Sequence, residues 1–131
     1  MCVPVSSTVE KDWVHNGIQC TYVTGYMGFY CGYVRCDPGH PWHGKVYNDI
    51  DADIHGGLTF AALEEEECKH EDGLGWWIGF DCGHYNDFIP GRAGIGMFSH
   101  GTVWTPEMIQ KECEKLADRV KEAEEKHALC I

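Results

Sequence analysis

Residues 105 to 127 carry the clearest structural pattern in the chain, that of an amphipathic helix. Thr105 is a residue type that caps helices, Pro106 suits the first helical position, and Glu107 favours the positive end of the helix dipole. Apolar residues then recur at three- and four-residue spacing: Ile109, Cys113, Leu116, Val120 and Ala123. The pattern predicts a helix from 106 to about 127, on the order of 33 Å long, within a segment 105–128. Because this helix is longer than the core requires, we expect its far end to pack on a second copy in a homo-oligomer.

Short segments before the helix predict strands. Residues 17–36 hold β-branched and aromatic residues in two runs separated by Gly25 and Gly28, which predicts a hairpin. The most apolar run, LGWWIGFDCGH at 74–84, predicts a central strand with alternating faces: Trp76, Ile78, Phe80 and Cys82 on one, Trp77, Gly79 and Asp81 on the other. We therefore expect one domain over 1–131, an α+β fold in which a small, mostly antiparallel sheet with glycine-rich loops (1–104) packs against the C-terminal helix.

Residues 49–60, DIDADIHGGLTF, alternate acidic and apolar side chains. A period of two places Asp49, Asp51, Asp53 and His55 on one side, and Ile50, Ala52 and Ile54 on the other. Gly56 and Gly57 then predict a bend. The charged stretch 64–72 has no periodicity and predicts a solvated loop or one exposed turn, whereas the long glycine-rich segment 83–101 predicts a functional or mobile loop.

Charge and hydropathy exclude several classes of partner. Ten basic and 21 acidic residues give a net charge of −11, which repels nucleic-acid polymers and anionic membranes. No apolar run approaches the roughly 20 residues that span a bilayer, and the start of the chain has no signal-peptide pattern. We expect a cytoplasmic protein whose eight cysteines are reduced thiols or metal ligands. Arg35, Lys45 and Arg92 remain as local cations for a small anion.

Two groups of side chains have the composition of a site. Asp53, His55, Asp81 and His84 are residue types that bind divalent transition metals, although no fixed-spacing metal motif is present. Histidines that satisfy backbone groups at strand ends explain the same residues without a metal.

Aromatic rings flank these polar residues: Trp42, Phe60, Trp76, Trp77, Tyr85 and Phe88. Such rings stack a flat heterocycle, and the amides of Gly56 and Gly57 with Arg92 would take its phosphates. Trp42 and His43 lie in a Pro/Gly-rich loop at 37–44, whereas adjacent tryptophans such as Trp76 and Trp77 are also typical of a core.

The runs CGYVRCDPGHPWHGKVYNDIDADIHGGLTFA and WWIGFDCGHYNDFIPG and the helix opening WTPEMIQKECEKLADRV resemble a family of small uncharacterised phage, prophage and bacterial proteins. The motifs of that family are CGYV, GHP, VHGGLT and WWFGFDC, and the likeness covers about residues 30 to 120. This chain departs from the pattern at Ile78 and Tyr85 but retains His55, Gly56, Gly57, Asp81 and His84. The resemblance implies a phage setting, in which small proteins counter host defence by capturing or destroying nucleotide-derived signals, in the host cytoplasm if the gene belongs to a phage.

The leading hypothesis is a protein that sequesters a small nucleotide-like ligand without a cofactor, and catalysis is left open with binding favoured. The predicted ligand-binding residues are Trp42, His43, Asp53, His55, Gly56, Gly57, Trp77, Asp81, His84 and Arg92. The alternatives are a metal-dependent hydrolase of the same ligand class, using Asp53, His55, Asp81 and His84, and a protein–protein inhibitor that acts through the acidic helix. The first two hypotheses require the HGG bend and the DCGH turn to meet at one hollow.

Overall fold

A computed structural model describes residues 3–84, 87–92 and 101–129, with the backbone alone for Tyr26 and Arg92. Five antiparallel strands form one sheet in the order β1-β2-β3-β5-β4. Their bounds are Thr8–His15 (β1), Ile18–Thr24 (β2), Tyr30–Cys36 (β3), Phe60–Leu63 (β4) and Trp76–Asp81 (β5). One long helix, α1 at Pro106–Leu129, packs across β2 and β3. The predicted α+β fold is confirmed, and none of the helices in the described part of the chain is long and apolar enough to cross a bilayer.

The predicted hairpin at 17–36 is present as β2 and β3. Strand β1 is not among the predicted strands, and it forms a second hairpin with β2. The turn between them is Asn16-Gly17, with φ of 53° and 77°, as a two-residue hairpin turn of the right-handed sheet twist requires. This dipeptide is a strong hairpin signal, and it identifies β1 from the sequence.

Strand β5 is internal, between β3 and β4, and its two faces are as predicted. Ile78 and Phe80 face α1 and belong to the main core. Trp77 faces the other side, where it packs with Val3, Val23 and Tyr33.

Helix α1 begins where the sequence predicts. The backbone N–H of Met108 donates to the Thr105 hydroxyl at 3.2 Å, which satisfies one of the free amides of the first turn. The apolar stripe is buried against the sheet: Ile109, Cys113, Leu116, Ala117 and Val120. Residues 124–129 are exposed, and association through this end stays a prediction.

The segment before β4 alternates as predicted without joining the sheet. A short 3-10 turn covers Tyr47–Asp49, after which Ile50 and Ile54 are buried while Asp51 and Asp53 are exposed. The two isoleucines belong to the main core, so the loop that leads to His55 is fixed by apolar burial.

Glu64 overturns the expectation that 64–72 is wholly solvated. Its side chain is buried, with both oxygens accepting from Arg35 Nε at 3.1 and 3.3 Å, and it accepts further N–H bonds from Gly75 and Trp77. Burial raises the pKa of Glu64, but these hydrogen bonds and the charge of Arg35 outweigh it and lower the pKa to about 2. Arg35 is therefore a structural cation and is not free to meet an anion. Glu65, Glu66 and Glu67 are exposed, as predicted.

Candidate functional site

The HGG bend and the DCGH turn meet in space beyond the end of β5. The His55 and His84 rings lie 5.4 Å apart between centroids in an edge-to-face arrangement. Gly56 has a φ of +67°, and a Cβ at this position would lie 2.2 Å from His84 Nε2. Only glycine permits this approach, because it tolerates positive φ and carries no side chain. The backbone of the HGG bend therefore packs against the imidazole ring of His84.

Asp87 stabilises the junction, which is the place where the HGG bend and the DCGH turn meet. His55 Nε2 donates to Asp87 Oδ2 at 2.9 Å, and the backbone N–H of His84 donates to the same oxygen at 3.0 Å. Trp104 Nε1 donates to Asp87 Oδ1 at 2.8 Å. Asp87 is 1% exposed, so a fully buried carboxylate holds three segments of the chain through three N–H donors.

Two further carboxylates border the junction. Glu112 on α1 accepts the backbone N–H of His55 at 2.7 Å. Asp81, at the end of β5, accepts the Thr59 hydroxyl and the Gly83 amide, both at 3.0 Å. His84 Nε2 is buried and lies 3.4 Å from Asp81 Oδ1, without a hydrogen bond to any group in the described residues.

An apolar cavity of about 90 Å³ adjoins this cluster. Trp104 connects the cavity to the cluster, because it lines the cavity and its ring centroid lies 4.6 Å from that of His55. The remaining walls come from the β2–β3 turn, β3, the end of β5 and the segment before α1: Gly28, Phe29, Tyr30, Cys82, Phe88, Pro90 and Val103. Four of the eight lining residues are aromatic, which gives the cavity flat apolar walls.

The structure brings together four of the predicted ligand-binding residues: His55, Gly56, Asp81 and His84. It places Trp77 on the opposite face of the sheet, where it is 0% exposed and its Nε1 donates to Glu64. A completely buried ring on that face has no surface for a ligand, so the expectation for Trp77 is corrected to core packing.

Trp42 and His43 lie at the other end of β5. His43 Nε2 donates to the carbonyl of Leu74 at 2.8 Å, just before β5 begins. Trp42 packs on the core and lines a separate groove beside α1 with Arg119 and Lys126. Because a strand rises about 3.3 Å per residue, the length of β5 separates these rings from His84 by on the order of 15 Å. Asp53 is exposed and interacts electrostatically with Arg119 of α1. Trp42, His43 and Asp53 are therefore not part of the junction.

The phosphate contact predicted for the Gly57 amide is not possible in this conformation. The Gly57 N–H donates to the carbonyl of Ile54 at 2.8 Å and is not free for a phosphate. The Arg92 side chain and Tyr85 lie outside the described residues. The described part of the chain contains no group of three His, Cys, Asp or Glu side chains placed to hold a metal ion.

Three further residues of the site, Asp87, Trp104 and Glu112, are not predicted from the sequence. The spacing of Asp87, three residues after His84, is compatible with a carboxylate that closes a turn on its own backbone, and the distance of 3.0 Å shows that it does so. Trp104 and Glu112 reach the site only through tertiary packing, since both are distant from it in sequence. Comparisons with protein-family models, with curated proteins and with solved structures found no match for this chain.

Proposed function

We propose that this protein binds a small ligand by enclosing one flat heterocyclic ring in the aromatic cavity beside the His55–Asp87 pair. The observation that carries the proposal is the cavity itself, walled by Phe29, Tyr30, Phe88 and Trp104. Ligand sites are typically concave and apolar with a few fixed polar groups. His55 and Asp87 are not among the lining residues, but both contact the wall residue Trp104 and fix its position.

The size of the cavity limits what enters it. Its volume of about 90 Å³ holds on the order of six to nine water-sized atoms, taking about 10–15 Å³ for each. That is the size of one six-membered ring with its substituents, whereas a whole nucleotide is several times larger. A ring stacked on an aromatic wall gains roughly 1–3 kcal/mol, so the base is the part that the cavity takes.

The charges around the cavity agree with this orientation. Asp81, Asp87 and Glu112 border the junction, and no Lys or Arg side chain of the described residues lines the cavity or bonds to these carboxylates. A phosphate placed among three carboxylates is repelled. The phosphates of a nucleotide-like ligand therefore point away from the junction.

Sequestration of a nucleotide-derived signal is the biological role that we propose for this binding. It is supported by the resemblance to small phage and bacterial proteins and by the base-sized cavity. In this role the ligand is returned unchanged, so protein mixed with ligand and then denatured by heat releases intact ligand.

The binding proposal is tested by filling the cavity. Val103 lines the cavity and is 61% exposed, so V103W blocks the cavity at small structural cost. Val14, 67% exposed on β1, gives the matched control V14W. Calorimetric titration with adenosine, guanosine, cytidine and uridine measures the affinities.

We expect wild type and V14W to bind at least one nucleoside and V103W to bind it at least tenfold more weakly. A ligand at a hundredfold excess over its Kd adds about 2.7 kcal/mol to the free energy of unfolding, so melting temperatures give a second measurement. Binding by V103W that equals wild type, or no binding by wild type, contradicts the proposal.

One observation favours a hydrolase as the second candidate. A buried carboxylate that orients an imidazole is the arrangement of a general base, and Asp87 holds His55 in this way at 2.9 Å. Mass spectrometry of the ligand recovered from the protein separates the two functions, because a hydrolysed product is expected only from an enzyme.

A further inference from the structure

The two edges of the sheet differ in how they are protected. Strand β1 forms one edge and carries the charged residues Glu10, Lys11 and Asp12, and its pairing with β2 shifts register after Val9, as at a β-bulge. Charges and bulges keep a further strand from pairing with an edge. Strand β4 forms the other edge, and its four residues, FAAL, are uncharged and pair with β5 without a register shift. Over these four residues the edge has neither form of protection.

The free edge of β4 presents backbone hydrogen-bonding groups. The N–H of Glu64, next to the end of β4, donates to the carbonyl of Gly75 at 3.0 Å. Residues of an antiparallel strand alternate in the direction of their backbone groups. Every second residue before Glu64 therefore bonds to β5, whereas Ala61 and Leu63 direct N–H and C=O groups outward. Within the described part of the chain no strand pairs with this edge, so it offers two donors and two acceptors to an added strand.

Apolar side chains are exposed beside this edge. Leu63 is 46% exposed and lies opposite Trp76, on the face of the sheet that carries α1. The Trp76 indole N–H donates to the carbonyl of Lys45 at 2.9 Å. The next two residues along the chain, Val46 and Tyr47, are exposed large apolar residues. Apolar area is therefore available next to the outward backbone groups, where side chains of an added strand can pack.

The chain leaves β4 through an acidic segment. Glu65, Glu66 and Glu67 are all exposed. Of the three, only Glu66 has an ion pair within the described residues, with Lys69 at 3.8 Å. A second copy of the chain brings the same acidic segment and a net charge of −11, so its approach is opposed by repulsion, whereas a basic segment is attracted.

We propose that the free edge of β4 binds an extended, basic segment of another protein as an added antiparallel strand. Two alternate residues of that segment hydrogen-bond to the backbone of Ala61 and Leu63, and their side chains pack beside Leu63 and Trp76. Because the two strands run in opposite directions, basic residues that precede this apolar pair lie next to Glu65 and Glu67. The partner is therefore recognised by basic residues followed by alternating apolar residues. No residue of β4 lines the aromatic cavity, so this surface acts independently of ligand binding there.

A synthetic peptide tests the proposal. The fluorescein-labelled peptide KRKSVTVT, blocked at both ends, carries three basic residues followed by valine at alternate positions. Fluorescence anisotropy measures its binding to the full chain, and we expect saturable binding. The same peptide N-methylated on both valines retains its charge and side chains but lacks the two N–H donors, so we expect it to bind at least about tenfold more weakly. No binding of the first peptide, or equal binding of the two, overturns the proposal.

Variants of the two edges locate the binding. L63S removes an exposed apolar side chain from β4, and V14S makes the matching change on β1, where Val14 is also exposed. We expect L63S to weaken binding at least about threefold, as the loss of a cross-strand apolar pair predicts, and V14S to leave it unchanged. Equal effects of the two variants contradict a site on β4.

Charge reversal tests the role of the acidic segment. E65K/E67K acts beside β4, and E124K/E125K changes the net charge by the same amount at an exposed part of α1. We expect the first double variant to weaken binding at least about threefold more than the second. Equal weakening would show that the peptide responds only to the overall charge, which overturns the proposal.

Hydrogen exchange observed by NMR identifies the paired strand. We expect the peptide to slow the exchange of the Ala61 and Leu63 amides and to leave the Val14 amide of β1 unchanged. Unchanged exchange at Ala61 and Leu63 overturns the proposal. So does a dimer of the wild type, seen by sedimentation velocity, that the peptide dissociates, because a second copy would then cover β4.

Discussion

Asp87 is a single carboxylate on which three segments of the chain converge. It accepts from His55 before β4, from the backbone of His84 after β5, and from Trp104 before α1. An unpaired buried donor costs about 1–3 kcal/mol. Because each of these donors depends on the same acceptor, the junction is a rigid support for the rim of the cavity.

Gly56 gives a direct test of how closely the two turns pack. Gly56 and Gly57 both have positive φ, +67° and +80°, but only at Gly56 would a Cβ meet another atom, since nothing lies within 4 Å at Gly57. The left-handed conformation alone costs a non-glycine residue about 1–2 kcal/mol. We expect G56A to lower the free energy of unfolding by at least about 1 kcal/mol more than G57A, measured by urea denaturation. Equal losses would show that His84 does not lie against Gly56.

The binding hypotheses require these two turns to meet, and they do, but the sequence alone does not decide it. Trp42 and His43 also stand in a loop next to an apolar segment, yet they lie at the other end of β5. Nothing in the local pattern around Asp87 distinguishes a buried acceptor from a solvated one. Trp77 is a different case. The alternating pattern predicts the face of β5 on which it lies, but it does not predict that Val3 and Glu64 cover that face.

At the scale of elements, the Arg35–Glu64 pair joins β3 to the segment after β4 across the start of β5. Arg35 Nη2 also donates to the carbonyl of Gly73 at 3.1 Å, so the pair fixes the connection that leads into β5. The two residues are 29 positions apart. The composition of residues 64–72 indicates a solvated segment. Only the position of Arg35 on β3 shows that Glu64 is an exception.

Replacement of Glu64 tests this connection. Breaking a buried ion pair by removing one partner costs about 3–5 kcal/mol, because the remaining charge is left uncompensated. We expect E64Q to lose stability in this range in chemical denaturation, and the exposed neighbour gives the control E65Q, with a change within about 0.5 kcal/mol. Arg35 also forms ion pairs with Asp37 and Asp72, which are both exposed. A small loss in E64Q would mean that these two carboxylates compensate the charge of Arg35 without Glu64.

The stability supplied by Glu64 depends on pH in a defined direction. Its pKa is lowered from 4.5 in the unfolded reference to about 2 in the folded chain, so the unfolded chain binds the proton more readily. The contribution is fully present above about pH 4.5 and is lost as the pH falls through about 2. The stability difference between wild type and E64Q, measured by urea denaturation at successive pH values, is therefore expected to narrow over this interval. A constant difference would contradict the lowered pKa.

The start of α1 depends on one hydroxyl. We expect T105A to cost about 1 kcal/mol, since it removes the acceptor of the Met108 amide, and T105S to retain most of the stability. Thermal denaturation followed by circular dichroism measures both. The cap and the apolar stripe are local patterns, which is why the sequence predicts α1 well, whereas β1 requires the Asn16-Gly17 turn to be recognised.

At the scale of the whole molecule, burial governs the thiols. Burial is the main cause that raises the pKa of Cys31 to about 11 and those of Cys20 and Cys36 to about 12, and it also raises the pKa of Cys82 and of Cys113. Since the thiolate is the reactive form, we expect these groups to react slowly while the protein is folded.

Alkylation by iodoacetamide at pH 8 measures this protection. In a variant with Cys2, Cys68 and Cys130 replaced by serine, we expect the five remaining thiols to react at least about a hundredfold more slowly in buffer than in 8 M urea, as pKa values raised by two units or more imply. Fast labelling of the folded protein would show that the core opens easily.

The position of α1 after all five strands has a consequence for synthesis on the ribosome. The face of Ile78 and Phe80 is buried together with Leu116 and Val120 of α1, so the nascent sheet keeps an apolar face open to water until the helix emerges. About 40 residues separate the end of β5 from Val120, which corresponds to about 2–8 s at ordinary elongation rates. During that interval the apolar face of the growing sheet is exposed, and the main core is completed only once α1 has been synthesised.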